Sequence, residues 1–329
     1  RGKLFKPRDA KLFRPRNSLG NTGGQFYIAK NPTYGAVFTY HLNNLPKTSK
    51  AIRVQGESML NSKNEDIPFP GYDKLADEML EKSPSLILTI KDSNGNHIRN
   101  IKQNAMNGSG KIAWNLRHKS YYPVRAGRAQ SNWWFNPSGP YVTPGEYHAE
   151  LYLENNGVVE KLDGPISFNV KPLRKGTLTG SSYDDYNSFR DKVSSLYIEI
   201  SKYEDEFNMM KNKVQLLEKA SMQLQDFSPD ILKKIADFKS KYSKVEYEID
   251  GNPARAEIGE WDKVTLATRI RIAMQGLSTS YGPTELNLSN LEIARNMLNE
   301  SKGTIESLKA EIESLEEEIK KLNPPHMTG

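Results

Sequence analysis

The chain has 329 residues, which is enough for two ordinary domains with hydrophobic cores. Its formal net charge is +6, but seven basic side chains lie within residues 1–16, where Asp9 is the only acidic residue, so the remaining chain has no net charge. Because a nucleic-acid-binding fold spreads positive charge over a folded surface, this distribution argues against a nucleic-acid partner. The absence of cysteine excludes disulfides, thiolate metal ligands and thiol catalysis.

The sequence was searched for membrane spans and targeting segments. No apolar run approaches the roughly 18–20 residues that a transmembrane helix needs, so the sequence predicts no membrane span. The lack of cysteine fits both the cytoplasm and a bacterial envelope, and therefore leaves the compartment open. The chain starts at Arg1 with neither an initiator Met nor a signal peptide, which we interpret as a fragment or a processed product.

The first element is a repeat. Residues 3–16 contain the unit Lys-Leu-Phe-basic-Pro-Arg twice, with Asp9-Ala10 between the copies. Pro7 and Pro15 favour extended backbone. The segment could be a nucleic-acid-binding arm, a basic membrane-binding arm or a strap, and the charge distribution disfavours the first of these.

Residues 25–173 alternate short apolar runs with turn signals, which is typical of an antiparallel β-sandwich. Asn94-Gly95 marks the clearest hairpin. Ile112 and Trp114 share one strand face, so we expect Trp114 to be buried. Residues 43–84 form a polar insertion with one short helix at 72–82. The predicted strands are 25–30, 36–42, 85–92, 97–102, 111–117, 146–154 and 164–171.

After a linker at 174–182, the apolar spacing changes to the 3-4 repeat of packed helices. Two long stripes flank a shorter second helix, which opens at Pro229, and a weaker third helix within 258–277. This order predicts an antiparallel four-helix bundle or coiled-coil hairpin over residues 183–329. Prolines between the helices disfavour one continuous parallel coiled coil. The fold class is therefore α+β and multidomain.

Catalytic and metal-binding motifs are missing from the sequence. The five histidines show no ligand spacing, no glycine-rich loop joins a strand to a helix, and no serine occupies a G-x-S-x-G turn. Acidic clusters fall on predicted helices, where a solvated face explains them. We therefore predict no enzyme activity, no metal site and no cofactor.

An aromatic-rich segment at residues 131–147 is the first candidate contact region. Its rings could stack on sugars or on a peptide, or they could pack at the end of the sandwich, and packing is the favoured interpretation because Trp and Tyr bury large apolar areas. The candidate ligand or partner contacts here are Trp133, Trp134, Phe135 and Tyr141.

The end of the first long helix is the second candidate region. Two short helices cannot cover the full length of two long ones if all four run side by side, so part of the stripe could meet a partner. Flexible Met side chains adapt to partners. The candidate contacts are Met210, Leu217 and Met222, and core packing is the alternative.

The order of several motifs carries a family resemblance. A glycine-led strand ends in Trp114-Asn115, and Pro-Gly-Glu-Tyr at 144–147 opens the next strand. This pattern is similar to the Ig-like module of the flagellar hook-capping protein. Together with stretches 31–42, 86–101 and 142–159, and with a helical tail, it resembles the C-terminal region of secreted bacterial proteins with sortilin-like, BNR-repeat β-propellers. No propeller repeats are present in this chain, so the catalytic labels of those families do not carry over.

The resemblance implies an exported bacterial protein in the periplasm, at the outer-membrane surface or outside the cell. Its partners would be an upstream propeller domain and other envelope proteins. Residues 1–24 resemble the strap that leads from the last propeller blade into the Ig-like module, and a membrane-binding arm is the second interpretation. The apolar anchors of that strap would be Leu4, Phe5, Leu12 and Phe13.

The expected function is therefore structural and protein-binding, in domain docking or cell-surface complex assembly. The alternative is an accessory carbohydrate-binding portion of a surface glycoside hydrolase or other hydrolase, in which residues 131–147 contact a polysaccharide.

Overall fold

The computed structural model describes residues 2–15, 29, 31–124, 138–174, 176–225, 228–279 and 281–327. These residues form a mixed α and β protein with two sheets and a helical C-terminal region, which confirms the predicted fold class in outline. The chain divides into two compact units. The sheet unit comprises Arg1–Ser120 and Ser138–Thr177, and the helical unit comprises Leu178–Gly329 with the stretch that starts at Tyr121. The strand predicted at 25–30 lies almost wholly outside the described residues.

The described residues contain eight strands in two sheets. One sheet has the order β1-β3-β6, and the other has the order β2-β8-β7-β4-β5 and curls into a half-barrel. Every pair is antiparallel except β2 with β8, which is parallel. The strands are β1 Gly2–Leu4, β2 Ala10–Leu12, β3 Ala36–Leu42, β4 Ser85–Asp92, β5 His97–Asn104, β6 Gly108–Trp114, β7 Gly145–Asn155 and β8 Val158–Pro172.

Among the described residues of the sheet unit, one hydrophobic cluster contains side chains from both sheets. Alternate residues of each strand face it, as the two-residue period of a strand requires, so that β3 contributes Phe38 and β4 contributes Leu88. Trp114 is fully buried there, which confirms the sequence prediction. The predicted hairpin between β4 and β5 is also confirmed, and its turn is closed by the carboxylate of Asp92, which accepts from the backbone N–H of Asn96 at 2.8 Å.

The described part of the N-terminal segment, residues 2–15, contains two short strands. The first copy forms β1 at the edge of the three-stranded sheet, and the second forms β2 at the edge of the five-stranded sheet. Between them, Asp9 pairs with Lys171 at 2.5 Å. Strand alternation points Leu4 into the core and leaves Leu12 half-buried. The other two predicted anchors, Phe5 and Phe13, are 48% and 41% exposed.

The insertion between β3 and β4 contains two helices rather than one. These are α1, Ser49–Ser62, and α2, Tyr72–Leu80. The hydroxyl of Thr48 caps α1 by accepting from the backbone N–H of Ala51 at 3.1 Å. None of the α1 residues is buried, so α1 has no core-facing apolar stripe by which the sequence could reveal it.

The described residues of the helical unit contain five α-helices, and the starts of these helices carry ordinary N-terminal signals. Ser182 and Thr265 accept backbone hydrogen bonds as caps, and Pro229 occupies a first turn. The five-residue α5 has no counterpart in the sequence prediction. The helices are α3 Tyr183–Ser221, α4 Pro229–Ile249, α5 Pro253–Glu257, α6 Leu266–Gln275 and α7 Glu285–Lys320.

The two long helices are parallel, which corrects the predicted antiparallel bundle. Three ion pairs join α3 to α7 with the same sequence offset, so both helices run in the same direction. On each helix, the residues that form these pairs are spaced seven apart, which is the heptad spacing of a coiled coil. The pairs are Glu199–Lys302, Glu206–Lys309 and Lys213–Glu316, at 2.6, 3.8 and 2.5 Å.

The shorter helices lie one after the other along this parallel pair. α4 packs with the C-terminal halves of α3 and α7 in one hydrophobic cluster, and α6 packs with their N-terminal halves in another. α4 runs antiparallel to α7, since Lys234 pairs with Glu318 and Lys241 pairs with Glu311. Each half of the long helix pair therefore packs against one shorter helix, and α4 and α6 together cover both halves.

Candidate interaction surfaces

An aromatic row on the sheet unit includes Tyr141, one of the predicted contacts. Phe13 packs edge-on against Tyr34 at 4.9 Å between ring centroids, and Tyr34 lies 6.4 Å from Tyr141. The guanidinium of Arg117 sits over the Tyr141 ring at 3.8 Å. It occupies a face of the ring that a sugar would otherwise stack on. The other predicted contacts of this region, Trp133, Trp134 and Phe135, lie outside the described residues.

Hydrogen bonds between side chains and the backbone hold the row in place. The Tyr34 hydroxyl accepts from the backbone N–H of Phe13 at 3.4 Å, and Arg117 donates to the carbonyl oxygen of Gly139 at 3.0 Å. Burial raises the pKa of Tyr34 to about 12, so this phenol remains neutral at physiological pH. The Tyr34 phenol is therefore not available as a general base near neutral pH.

The predicted contacts on α3 are divided between core and surface. Met210 and Leu217 are 4% and 1% exposed and belong to the cluster formed with α4 and α7. They cannot meet a partner in this structure, so the core-packing alternative describes them. Met222, at the C-terminal end of α3, is 64% exposed and remains available.

The insertion presents an exposed apolar surface that the sequence prediction did not single out. We call it the insertion face, and it consists of Phe69, Tyr72, Met79 and Leu80. Their side chains are 64%, 82%, 86% and 81% exposed. The sequence contains an apolar helix stripe that could have revealed this surface, because Tyr72, Met79 and Leu80 occupy positions i, i+7 and i+8, which share one side of a helix.

On the opposite side of α2, an ion pair joins this helix to α1. Glu78 is the only buried residue of the two insertion helices, and Arg53 of α1 donates to its carboxylate at 2.7, 2.9 and 3.0 Å. Arg53 also donates to Glu57 at 2.7 Å. Hydrogen bonding to Arg53 lowers the pKa of Glu78, so the pair stays ionised at neutral pH.

A second exposed apolar feature lies in the helical unit, between α5 and α6. Trp261 is 91% exposed, and Ile258 nearby in sequence is 76% exposed. The loop is held by Asp262, which accepts from the backbone N–H groups of Asn252 and Lys263 at 3.1 and 2.8 Å. These bonds lower the pKa of the Asp262 carboxyl.

The histidines on strands have neutral hydrogen-bond partners. His41 contacts Ser109 and Asn43, and His148 contacts Ser167 at 2.9 Å. Over the residues that the structure describes, no three His, Asp or Glu side chains cluster in a way that could hold a metal ion. None of the described helices is long and apolar enough to cross a bilayer. Neither the known family models nor the curated proteins include a match to this sequence.

Proposed function

We propose that this chain is a non-catalytic, protein-binding C-terminal portion of a larger exported bacterial protein whose upstream part is a sortilin-like β-propeller. Its sheet unit would be an Ig-like β-sandwich, and its helical unit would be an arm for docking other envelope proteins. The secreted location follows from the family resemblance.

One contact carries this proposal. The two motifs that give the resemblance, Trp114-Asn115 and the segment ending in Tyr147, meet in the core, where the rings of Trp114 and Tyr147 lie 5.3 Å apart. The Tyr147 hydroxyl donates to the carbonyl oxygen of Thr143 at 2.7 Å, four residues upstream. Ig-like sandwiches often have a comparable tyrosine corner near the start of their penultimate strand, and β7 is the penultimate strand here.

The gene gives the most direct test. We expect the codons upstream of Arg1 to encode a repeat-bearing propeller domain preceded by an export signal. Cell fractionation of the full-length product should then recover it in the envelope or the medium. A gene with no repeat-bearing domain upstream would overturn the proposal.

A deletion tests the docking role. In the full-length protein, removing residues 178–329 should abolish cross-linking to other envelope proteins while leaving export intact. Glycan binding by the intact protein that disappears in a Trp133→Ala/Trp134→Ala variant would instead favour the carbohydrate-binding alternative.

A further inference from the structure

Two neighbouring arginines of the sheet unit have neutral hydrogen-bond partners in place of acidic ones. Arg99 belongs to β5, and it donates to the Asn115 side chain at 3.3 Å and to the carbonyl oxygen of His118 at 3.4 Å. Arg117 follows the end of β6 and donates to the carbonyl oxygen of Gly139 at 3.0 Å. Over the residues that the structure describes, neither arginine forms an ion pair.

The register of β5 makes this arrangement unusual. Arg99 is directly opposite Ile90 of β4, and directly opposite residues of an antiparallel pair share a face of the sheet. Because Ile90 is fully buried, Arg99 is directed towards the inner side of the sheet. Burial and then the positive charge of Arg117 lower the pKa of Arg99, since both disfavour a cation at this position. A charge in such a place is normally paired with the opposite charge, whereas the charge beside Arg99 is a second cation.

Each guanidinium has donor atoms to spare. A guanidinium has five N–H donors in a planar fork, and the hydrogen bonds of both arginines use only their Nη1 atoms. In the described part of the chain, the buried side-chain nitrogen and oxygen atoms without a partner are Ser201 Oγ and Arg269 Nε. The Nε and Nη2 atoms of Arg99 and Arg117 are therefore open to solvent. Such an edge binds the oxygens of an oxyanion in pairs.

The sequence on both sides of the pair lacks acidic residues. Residues 93–145 contain seven lysines and arginines and no Asp or Glu, and so do residues 10–56, which include Tyr34 of the aromatic row. Neither stretch can therefore supply a carboxylate to neutralise Arg99 and Arg117. The net charge of the chain conceals this local excess, because acidic residues elsewhere balance it.

We propose that Arg99 and Arg117 form a binding site for a phosphate group, either as the free ion or as a monoester. Two cations are matched by a dianion, and a phosphate monoester carries about two negative charges near neutral pH and three acceptor oxygens. A carboxylate would leave one of the two cations uncompensated. The Tyr141 ring, 3.8 Å from the Arg117 guanidinium, and Tyr34, 6.4 Å from Tyr141, give the organic part of an ester an aromatic surface beside the phosphate.

Isothermal titration calorimetry of the 329-residue chain in about 0.1 M sodium chloride tests the site, with inorganic phosphate and phenyl phosphate as the probes. Arg99→Gln and Arg117→Gln each remove one cation. Arg99→Lys and Arg117→Lys keep the charge but lose the planar fork. Lys111→Gln is the matched control, since Lys111 is exposed on β6 and carries the same charge. Circular dichroism establishes that each variant is folded, and the Arg117 variants carry the test if the Arg99 variants do not fold.

We expect each Arg→Gln substitution to weaken phosphate binding by at least about tenfold, which corresponds to about 1.4 kcal/mol. The Arg→Lys variants should also bind less tightly than the wild type, while Lys111→Gln should change the affinity by less than about twofold, since exposed charges are screened. Binding by the wild type should strengthen as the pH rises through about 6, where a phosphate monoester loses its second proton and arginine stays charged.

The two probes distinguish the source of the phosphate group. Tighter binding of phenyl phosphate assigns the site to monoesters, and tighter binding of inorganic phosphate assigns it to the free ion. The absence of saturable binding of either probe to the wild type would overturn the proposal. An equal loss of affinity in Lys111→Gln and in the arginine variants would also overturn it, because the effect would then be one of overall charge.

Discussion

At the scale of single residues, Trp114 shows how the motifs of the sheet unit specify its core. Its indole N–H donates to the carbonyl oxygen of Arg117 at 2.9 Å, so the ring is buried without an unpaired donor. Tyr147 and Phe168 pack against it at 5.3 and 6.1 Å between ring centroids. The sequence could predict this burial from strand alternation, because Ile112 and Trp114 lie on the same face.

Replacing Trp114 with Ala should lower the free energy of unfolding of the sheet unit by about 3–5 kcal/mol, because the deletion leaves a cavity in a closed core. Urea denaturation followed by circular dichroism measures the change. Trp261→Ala is the matched control, since Trp261 is 91% exposed and its removal should have little effect. Equal midpoints for the two variants would show that the Trp114 ring is not a core element.

Glu150, on β7, gives a pH-dependent prediction. Its nearly buried carboxylate accepts from Lys161 at 2.6 Å and from Tyr152 at 3.0 Å, and it pairs with Lys91 at 2.7 Å. These hydrogen bonds, that from Lys161 foremost, lower the pKa of Glu150 to about 2. Because the folded pKa lies below the ordinary value, the ionised group stabilises the fold above that value, and this contribution is lost as the pH falls towards the folded pKa.

Glu150→Gln should therefore lower the free energy of unfolding by about 1–3 kcal/mol at pH 7. The difference from the wild type should shrink between pH 4.5 and about 2, which urea denaturation at a series of pH values can follow. Glu146→Gln, an exposed substitution on the same strand, should change stability by less than about 0.5 kcal/mol. A Glu150→Gln difference that stays constant across this pH window would contradict the assignment.

At the scale of elements, helix direction was harder to predict than helix position. An apolar heptad stripe marks which side of α3 and α7 is buried, but it is the same for parallel and antiparallel neighbours. The charges beside the stripe carry the missing information. Glu206 and Lys309 belong to a ladder with constant offset, which is compatible only with parallel helices. That ladder could have been read from the sequence by comparing charge signs every seven residues.

Other elements were missed for a different physical reason. α1 packs no apolar side chain into a core, so its sequence lacks the period that marks buried helices. β2 is three residues long and lies at a sheet edge, where local pattern does not specify a parallel neighbour. The insertion face follows a readable stripe on α2, but whether such a stripe faces a core or solvent depends on tertiary packing.

A pair of substitutions at the end of α3 separates core from surface. Leu217→Asp places a carboxylate among apolar side chains of α4 and α7, and should cost more than about 4 kcal/mol in unfolding free energy. Met222→Asp, five residues later and largely exposed, should cost less than about 0.5 kcal/mol. Helical circular dichroism during urea denaturation measures both. A wild-type transition for Leu217→Asp would place that side chain on the surface instead.

At the scale of the whole molecule, the N-terminal repeats connect the two sheets of one core. β1 and β2 lie at one edge of each sheet, and β2 is extended by the backbone N–H of Leu173, which donates to Leu12. The basic side chains between and beside them, including Lys6 and Arg8, are exposed. The strap interpretation assigns the segment's role to its apolar anchors, Leu4, Phe5, Leu12 and Phe13, and the membrane-arm interpretation assigns it to the basic side chains.

Two variants distinguish these interpretations. Leu4→Ser/Leu12→Ser should lower the free energy of unfolding of the sheet unit by about 3 kcal/mol or more, because Leu4 is fully buried and Leu12 packs against the same cluster. The variant Lys6→Gln/Arg8→Gln/Lys11→Gln removes three positive charges but keeps both leucines, and it should unfold like the wild type. Urea denaturation measures stability, and co-sedimentation with phosphatidylserine vesicles measures membrane binding. A membrane-binding arm predicts the opposite pattern, in which the leucine variant remains stable and only the variant without the three positive charges loses vesicle binding.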